Sequence, residues 1–260
     1  MTPKTLNYDQ IAKEYDQRYP SSQQWERGKA LLDLARQLKP KSILEVGSGT
    51  GYWLNLLSQV TPSIVGLDFS RGMLQQARDR FALHGLARGT AVKLPYQNRT
   101  FDLIYCVDAI HHFGDQRAFI AEAFRVLRPG GALAIIGHDP HSGEGNWYVY
   151  DYFDSVYETD LTRYPSSGAL KNWMKQEGFV NIERRDVEHI LNIHVGEGVL
   201  NDPFIKHHAT SQLALLSEES YQAGIERIQA ELKRAQLEKE QIIFKSDFWV
   251  KMFSGSKPAE

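Results

Sequence analysis

The amino-acid sequence predicts a doubly wound α/β fold built on a mostly parallel sheet, and three stretches carry that prediction. Ile43-Leu44-Glu45-Val46 is a short apolar run that stops at Gly47-Ser48-Gly49-Thr50-Gly51. Trp53, Leu54, Leu56 and Leu57 follow at helical spacing, so the glycines read as a strand-to-helix turn. Ile64-Val65-Gly66-Leu67-Asp68 reads as a second strand ending in an acid. Phe101 to Val107, apolar except for Asp102, reads as a central parallel strand buried on both faces. Strands alternating with helical patterns are the signature of an α/β sheet.

The remaining elements follow from periodicity and punctuation. Leu6, Tyr8, Ile11, Ala12, Tyr15 and Tyr19 form a rough helical stripe that ends at Pro20. Ser21 or Ser22 is suited to cap the next helix, which runs through Trp25, Ala30, Leu31 and Leu34 to about Leu38, with Pro40 ending it. After the second strand, Asp68-Phe69-Ser70 leads into a helix carrying Met73, Leu74, Ala77 and Phe81. Residues 90–95 are expected to form a short third strand and turn, and residues 115–127 a helix. Pro129-Gly130-Gly131 reads as the turn into a fifth strand, Ala132 to Gly137.

The glycine turn is the first clue to function. Glycines adopt backbone angles that other residues resist and let a ligand approach the main chain, and the following helix offers free N–H groups. Glu45, just before the first glycine, would repel a pyrophosphate and attract an ammonium group. Asp68 stands where doubly wound folds hydrogen-bond ribose hydroxyls. The implied ligand is a nucleoside carrying positive charge. A nicotinamide dehydrogenase would show a Gly-x-Gly-x-x-Gly spacing, which Gly47, Gly49 and Gly51 do not make.

With these residues, and with Leu94-Pro95-Tyr96, Thr100-Phe101-Asp102-Leu103-Ile104, Ala109-Ile110-His111-His112-Phe113 and Phe124-Arg125-Val126-Leu127-Arg128-Pro129-Gly130-Gly131 in order behind them, the chain resembles the class I S-adenosylmethionine-dependent methyltransferases. The likeness is strong over roughly residues 40–140 and loose on the flanks. It implies a seven-stranded, mostly parallel Rossmann-like sheet with a helical cap and insertions, S-adenosylmethionine as cofactor and S-adenosylhomocysteine as product. It assigns to the cofactor Glu45, Gly47, Ser48, Gly49, Gly51, Asp68 and Asp108, with Phe69 and Met73 beside the adenine. Tyr15, with Tyr8 second, is the expected partner of the methionine carboxylate in an N-terminal segment that folds over the cofactor. Many relatives place an acid early in the third-strand segment to meet the adenine amino group. This chain has Gly89-Thr90-Ala91-Val92, so the Thr90 hydroxyl or the Ala91 backbone takes that role.

Beyond residue 140, Trp147, Tyr148, Tyr150, Tyr152, Phe153, Tyr157 and Tyr164 crowd a stretch where methyltransferases commonly insert a substrate cap. The residues alone allow either a satellite core or a pocket for an aromatic, apolar or cationic acceptor. Ser166-Ser167 begins a helix through Leu170, Trp173 and Met174 that stops at Gly178. Phe179 to about His194 reads as a strand, residues 203–238 as helical with a one-sided stripe from Tyr221 to Ala235, and Ile242 to Phe253 as the last strand. The tail from Ser254 is expected to fray. No repeat or low-complexity linker divides the chain. One domain is expected over 1–260: an N-terminal helical segment 1–39, a cofactor core 40–140, an aromatic cap 141–165, and a C-terminal part 166–260 with an insertion at 199–239.

Composition sets outer bounds. A formal net charge of −2, with charged residues at 24% and no dense basic run, argues against nucleic acid or a membrane surface as partner. The single cysteine, Cys106, sits in an apolar strand and permits no internal disulfide, which fits the cytoplasm. Neither a secretory leader nor a membrane-spanning stretch is read in the chain. The number of subunits is not specified by the sequence.

Methyl transfer from a sulfonium needs alignment and, for some acceptors, removal of a proton. Histidine suits the proton because its pKa lies near neutrality. His112 is the first candidate, then His111 and His138, all expected at the carboxyl ends of the fourth and fifth strands. Asp108 and Asp139 resemble the positions where catechol methyltransferases hold magnesium. Those enzymes continue with Asn, whereas Pro140 follows here, so no metal is expected. Nucleobase and glutamine amino-methylation are disfavoured, because their Asn/Asp-Pro-Pro-aromatic tetrapeptide is replaced by Asp108-Ala109-Ile110-His111. The alternatives are a metal-assisted O-methyltransferase and a cofactor-binding protein without catalysis. The latter would typically have eroded its glycine loop.

Overall fold

A computed structural model describes residues 8–12 and 25–259. Tyr15, Ser21 and Ser22 lie outside the described residues. The sheet forms because each apolar run has a period of two or is buried on both sides. Its parallel half comprises β1 Ile43–Val46, β2 Ile64–Asp68, β3 Leu86–Arg88, β4 Phe101–Val107 and β5 Leu127–His138. The strand order is β3-β2-β1-β4-β5-β8-β6. β8, Ile243–Ser256, runs antiparallel to β5, to the two-residue β6, Asn146–Trp147, and to β7, Val180–Val195. The sheet therefore has eight strands, one more than the resemblance implies, and the extra one is the short β6.

Side-chain alternation divides the core between two faces. Leu44, Val46, Ile104, Cys106, Leu133 and Ile135 pack beneath helices α5, Gln116–Val126, and α8, Ser167–Glu177. Ile43, Leu103, Tyr105, Ala134 and Ile136 face α2, Glu26–Leu38, and α3, Tyr52–Leu57. Each fully buried Leu or Ile contributes about 1.5–3 kcal/mol, so these two layers supply most of the drive to fold. Glu45 shares the Ile43 face and is entirely buried. Three of the helices are capped by the side chain of the residue that precedes them. Ser70 Oγ accepts from Met73 N before α4, Arg71–Phe81, Asp115 accepts from Ala118 N before α5, and Ser166 accepts from Ala169 N before α8.

Several boundaries differ from expectation. The third strand is Leu86–Arg88, and Thr90 to Lys93 instead close a tight bridge. Three residues flanked by Gly85 and Gly89 are too few to show a periodicity. β5 begins at Leu127, because Gly130 takes a left-handed φ of 78° and carries the chain through Pro-Gly-Gly as an irregularity within the strand. Helix α2 has Trp25 in its N-cap position with no side-chain cap. The tail is ordered through β8 to Ser256, and Lys257 is held by Gly131 and Gly130 backbone bonds and by the Phe124 and Leu127 carbonyls.

The segment between β7 and β8 is several pieces rather than one long helix. Two 3-10 turns, Gly196–Asn201 and Pro203–Ile205, precede α9, Ser211–Ala214, and α10, Glu218–Glu238. Much of the aromatic stretch after β5 forms a satellite core with this insertion. Tyr148, Val149 and Phe153 pack with Val199, Ile205, Leu213, Ile228 and Phe244. The short helices here are α6, Val149–Tyr152, and α7, Val156–Arg163. α10 passes so close that a Cβ on Gly224 would sit 2.2 Å from Phe153 Cδ1. The N-terminal α1, Tyr8–Ile11, docks on α4, where Asp9 accepts from Ser70 Oγ at 2.6 Å and from Gly72 N at 2.7 Å.

Candidate active site

The glycine turn leaves β1 through three left-handed residues, Gly47 (φ 76°), Gly49 (φ 50°) and Gly51 (φ 80°). A Cβ on Gly47 would lie 2.6 Å from Ala109 Cβ, and one on Gly51 would lie 2.7 Å from Leu83 Cδ1. A Cβ on Gly49 would meet nothing within 4 Å, so that glycine faces open space. Gly49 N donates to Asp68 Oδ2 and Ser70 N to Asp68 Oδ1, both at 2.8 Å, which fixes the carboxylate at the mouth of the turn. Burial pushes the Asp68 pKa up, and the bonds from Ser70 and Gly49 hold part of that rise back.

Beneath the turn lie two orphaned polar atoms. Glu45 Oε2 accepts from the Tyr105 hydroxyl at 3.1 Å, while Glu45 Oε1 and Ser48 Oγ are buried without hydrogen-bond partners. Burial drives the Glu45 carboxyl well above its usual range, and the charge of Asp68 adds to the effect. Buried polar atoms are costly when unpaired. This cradle, acidic and lined by exposed backbone, fits a cationic nucleoside better than a pyrophosphate.

The other expected cofactor residues are dispersed around this cradle. Phe69 is 73% exposed, with Arg88 donating to its carbonyl at 3.1 Å. Met73 is buried in the core, Ala91 is buried, and Thr90 is exposed with Oγ1 accepting from Val92 N. Asp108, at the end of β4, has a left-handed φ of 50°. Arg27 Nη1 donates to its carboxylate at 2.5 Å, while Arg27 Nε donates to Glu188 at 2.5 Å. One buried guanidinium thus ties α2 to the end of β4 and the middle of β7.

Asp139 is buried and spent on backbone. It accepts from His141 N and Ser167 N, and from the Ser167 hydroxyl. With Asp108 held by arginine and Asp139 saturated, the pair does not suit a metal. Among the described residues no group of three His, Cys, Asp or Glu side chains is placed to hold one.

A cavity of about 420 Å³ opens at the carboxyl ends of β4 and β5. Its walls come from Tyr8, from Asp108, His111 and His112, from His138, and from the β7–β8 hairpin with residues between Asp202 and Gln212. All three candidate histidines line it, but in different states. His111 is stacked on Tyr164 with ring centroids 3.9 Å apart. Gln212 donates to the Tyr164 hydroxyl at 2.8 Å, leaving that hydroxyl's proton for His111 Nε2 at 3.1 Å. Burial holds the His111 pKa well below its ordinary value. His112 is clamped between Tyr8 Oη at 2.6 Å and Arg163 Nη2 at 3.3 Å. Arginine only donates, so His112 Nδ1 keeps its lone pair and the neutral ring gives its Nε2 proton to Tyr8. His138 Nδ1 is buried with no hydrogen-bond partner, and burial lowers the ring's pKa to about 4.

The comparisons agree with this geometry. A family model described as a methyltransferase domain matches residues 44–135. The demethylmenaquinone methyltransferase of Thermotoga maritima is 32% identical over 202 residues, 66% of this chain and 86% of that protein. The malonyl-[acyl-carrier protein] O-methyltransferase of Salmonella typhimurium is 37% identical over 132 residues, 49% of this chain and 50% of that protein. Three of the curated relatives it matches are spanned over only 40%, 50% and 50% of their own length. The solved Haemonchus contortus phosphoethanolamine N-methyltransferase 2 with S-adenosyl-L-methionine superposes with a TM-score of 0.58 at 18% identity, over 96% of this chain and 57% of that one, a likeness of fold. The sheet and its glycine cradle define a nucleoside-binding α/β protein. The chain belongs to the S-adenosylmethionine-dependent methyltransferases.

Arg27, Glu188 and Arg163 are site residues that the sequence alone does not single out. Each sits among ordinary charged neighbours, and only its distant partners set it apart. Among the described residues no helix is long and apolar enough to cross a membrane.

Proposed function

We propose that this chain transfers a methyl group from S-adenosylmethionine to a small-molecule acceptor seated in the cavity at the ends of β4 and β5. The observation that carries the reading is the orphaned pair Glu45 Oε1 and Ser48 Oγ, beneath a glycine turn whose Gly47 abuts Ala109, the residue after the cavity-lining Asp108. When bound, the cofactor supplies a methyl already activated for in-line displacement. The protein's share is alignment, which is worth several kcal/mol in such reactions. Glu45 offers a buried acceptor for an ammonium group. Asp68, pinned by two N–H groups, keeps lone pairs for ribose hydroxyls. The exposed ring of Phe69, with Thr90 and Ala91 beyond it, suits the adenine.

The relatives' names speak of demethylmenaquinone and of a malonyl-[acyl-carrier protein], which fits a metabolite as acceptor here. Aromatic and charged side chains around the cavity suit an aromatic, apolar or cationic compound. The near-neutral net charge of −2 disfavours nucleic acid and membrane surfaces as partners. A cytoplasmic setting agrees with the lone buried thiol of Cys106.

Calorimetry tests the reading. S-adenosylhomocysteine is expected to bind and NAD to give no heat. Asp68→Ala is expected to weaken binding by about 1–3 kcal/mol, the cost of losing an acceptor for a buried polar group. Binding of NAD and not of the sulfonium nucleoside would overturn it.

A further inference from the structure

Helix α1 touches both halves of the site. Asp9 accepts from Ser70 Oγ at 2.6 Å and from Gly72 N at 2.7 Å, and Ser70 N in turn donates to Asp68 at 2.8 Å. One residue earlier, Tyr8 stands in the cavity wall with its hydroxyl 2.6 Å from His112 Nε2. Whatever fixes Tyr8 therefore bears on the helix that flanks the nucleoside cradle.

Arg163, the last residue of α7, fixes it from behind. It is not part of the cavity wall, whereas His112 and Ser211, which its Nη2 meets at 3.3 and 3.0 Å, are. The arginine is braced on every side. Its side chain is 11% exposed, and Nη1 lies 3.6 Å from Oδ1 of the wholly buried Asp160. Its carbonyl accepts from Gln116 Nε2 at 2.6 Å, so α5 and α9 both hold the end of α7.

A guanidinium has only donors. With one of them aimed at His112 Nδ1, that nitrogen must offer its lone pair, and the neutral ring carries its proton on Nε2. The opposite tautomer would set two N–H groups against each other and leave Tyr8 without its donor. The direction of the whole chain, from Arg163 through His112 to Tyr8, follows from the one residue that cannot accept.

We propose, resting on the methyl-transfer reading above, that Arg163 is a positioning residue for the cofactor: by fixing the tautomer of His112 it holds Tyr8, and with Tyr8 the helix α1 beside Asp68. The cap thereby acts on the nucleoside without touching it. His112 is the link between cap and cradle, its one lone pair committed to arginine.

The test uses the full chain, with S-adenosylhomocysteine as the probe. In the nucleoside-free protein, ¹⁵N spectra are expected to show His112 protonated at Nε2 and bare at Nδ1. Arg163→Met is combined with Asp160→Asn so that no buried carboxylate is stranded. That pair and, separately, Tyr8→Phe are each expected to weaken nucleoside binding about fivefold, the worth of one hydrogen bond. All three changes together are expected to cost no more than either set alone, because they break one chain of bonds. His112→Ala is expected to show the same loss. His112→Gln offers an acceptor to Arg163 and a donor to Tyr8, and is expected to recover most of it. If the Arg163 variant does not fold, the wild-type spectrum and the two His112 variants still decide. The proposal is overturned if His112 carries its proton on Nδ1, or if the variants leave affinity unmoved. It is also overturned if their effects multiply to about 25-fold, or if His112→Gln binds no better than His112→Ala. A wild type that takes up no nucleoside would sink the methyl-transfer reading, and this proposal with it.

Discussion

Arg27 offers the sharpest test of how the site is held. Its guanidinium joins Asp108 and Glu188, each at 2.5 Å, and its side chain is 10% exposed against 7% for Glu188 and 35% for Asp108. Arg27→Ala leaves two carboxylates without their cation. Removing one member of a buried pair costs about 3–5 kcal/mol, because the survivor is left charged and unpaired. Asp108 is exposed enough for water to screen it, so the cost falls mainly on Glu188 and the low end, about 3 kcal/mol, is expected. Urea unfolding followed by tryptophan fluorescence measures it, with an unchanged slope required if only stability has moved. The double variant Arg27→Met with Glu188→Leu is expected to recover most of the loss, since well-packed apolar groups replace buried ion pairs at little cost. A loss under about 1 kcal/mol for Arg27→Ala would refute the claim that this bridge clamps α2 onto the sheet.

Two further outcomes follow from the geometry. Gly224→Ala drives a methyl to within 2.2 Å of Phe153 Cδ1, so overpacking of about 1–3 kcal/mol is expected, read as a lower melting temperature with the glycine cradle's nucleoside affinity kept. Because burial raises the Glu45 pKa above its unfolded value, the stability tied to its proton is fully present below that unfolded value and is lost as pH rises through the folded one. The nucleoside-free protein is therefore expected to melt lower as pH climbs above the ordinary carboxylate range. Glu45→Gln should flatten that slope, and an identical slope in the variant would count against the assignment.

How much of this was legible in the sequence depended on how local each signal was. β1, β2 and β4 are apolar runs ended by glycine or aspartate, so their limits show directly. β3 has only Leu86-Ala87-Arg88 and earns its place by pairing with Gly66 to Asp68, which no window along the chain reveals. Pro129-Gly130-Gly131 reads as a turn because Pro and Gly favour turns. The left-handed Gly130 instead lets the strand run on through an irregularity. The aromatic stretch allowed two readings, and the insertion decided it: most of those rings bury one another against residues 199–228, while Trp147 and Tyr164 reach the cavity.

The site divides in the same way. Glu45, the glycines and Asp68 are close in sequence and declare themselves through turn chemistry. The partners that separate the three histidines lie far off: Tyr8 is 104 residues from His112, Arg163 is 51, and Tyr164 is 53 from His111. Arg27 meets Glu188 across 161 residues. A single sequence places histidines at the ends of strands, but only the fold says which nitrogen is already taken.

The most direct test of methyl transfer itself is to incubate the protein with S-adenosylmethionine labelled in its methyl group and a metabolite extract, then follow the label by mass spectrometry. Label accumulating in a small molecule, in amounts far exceeding the protein and matched by S-adenosylhomocysteine, is the expected result. Tight binding of the nucleoside with all label remaining on it would contradict catalysis and leave a cofactor-binding protein in its place.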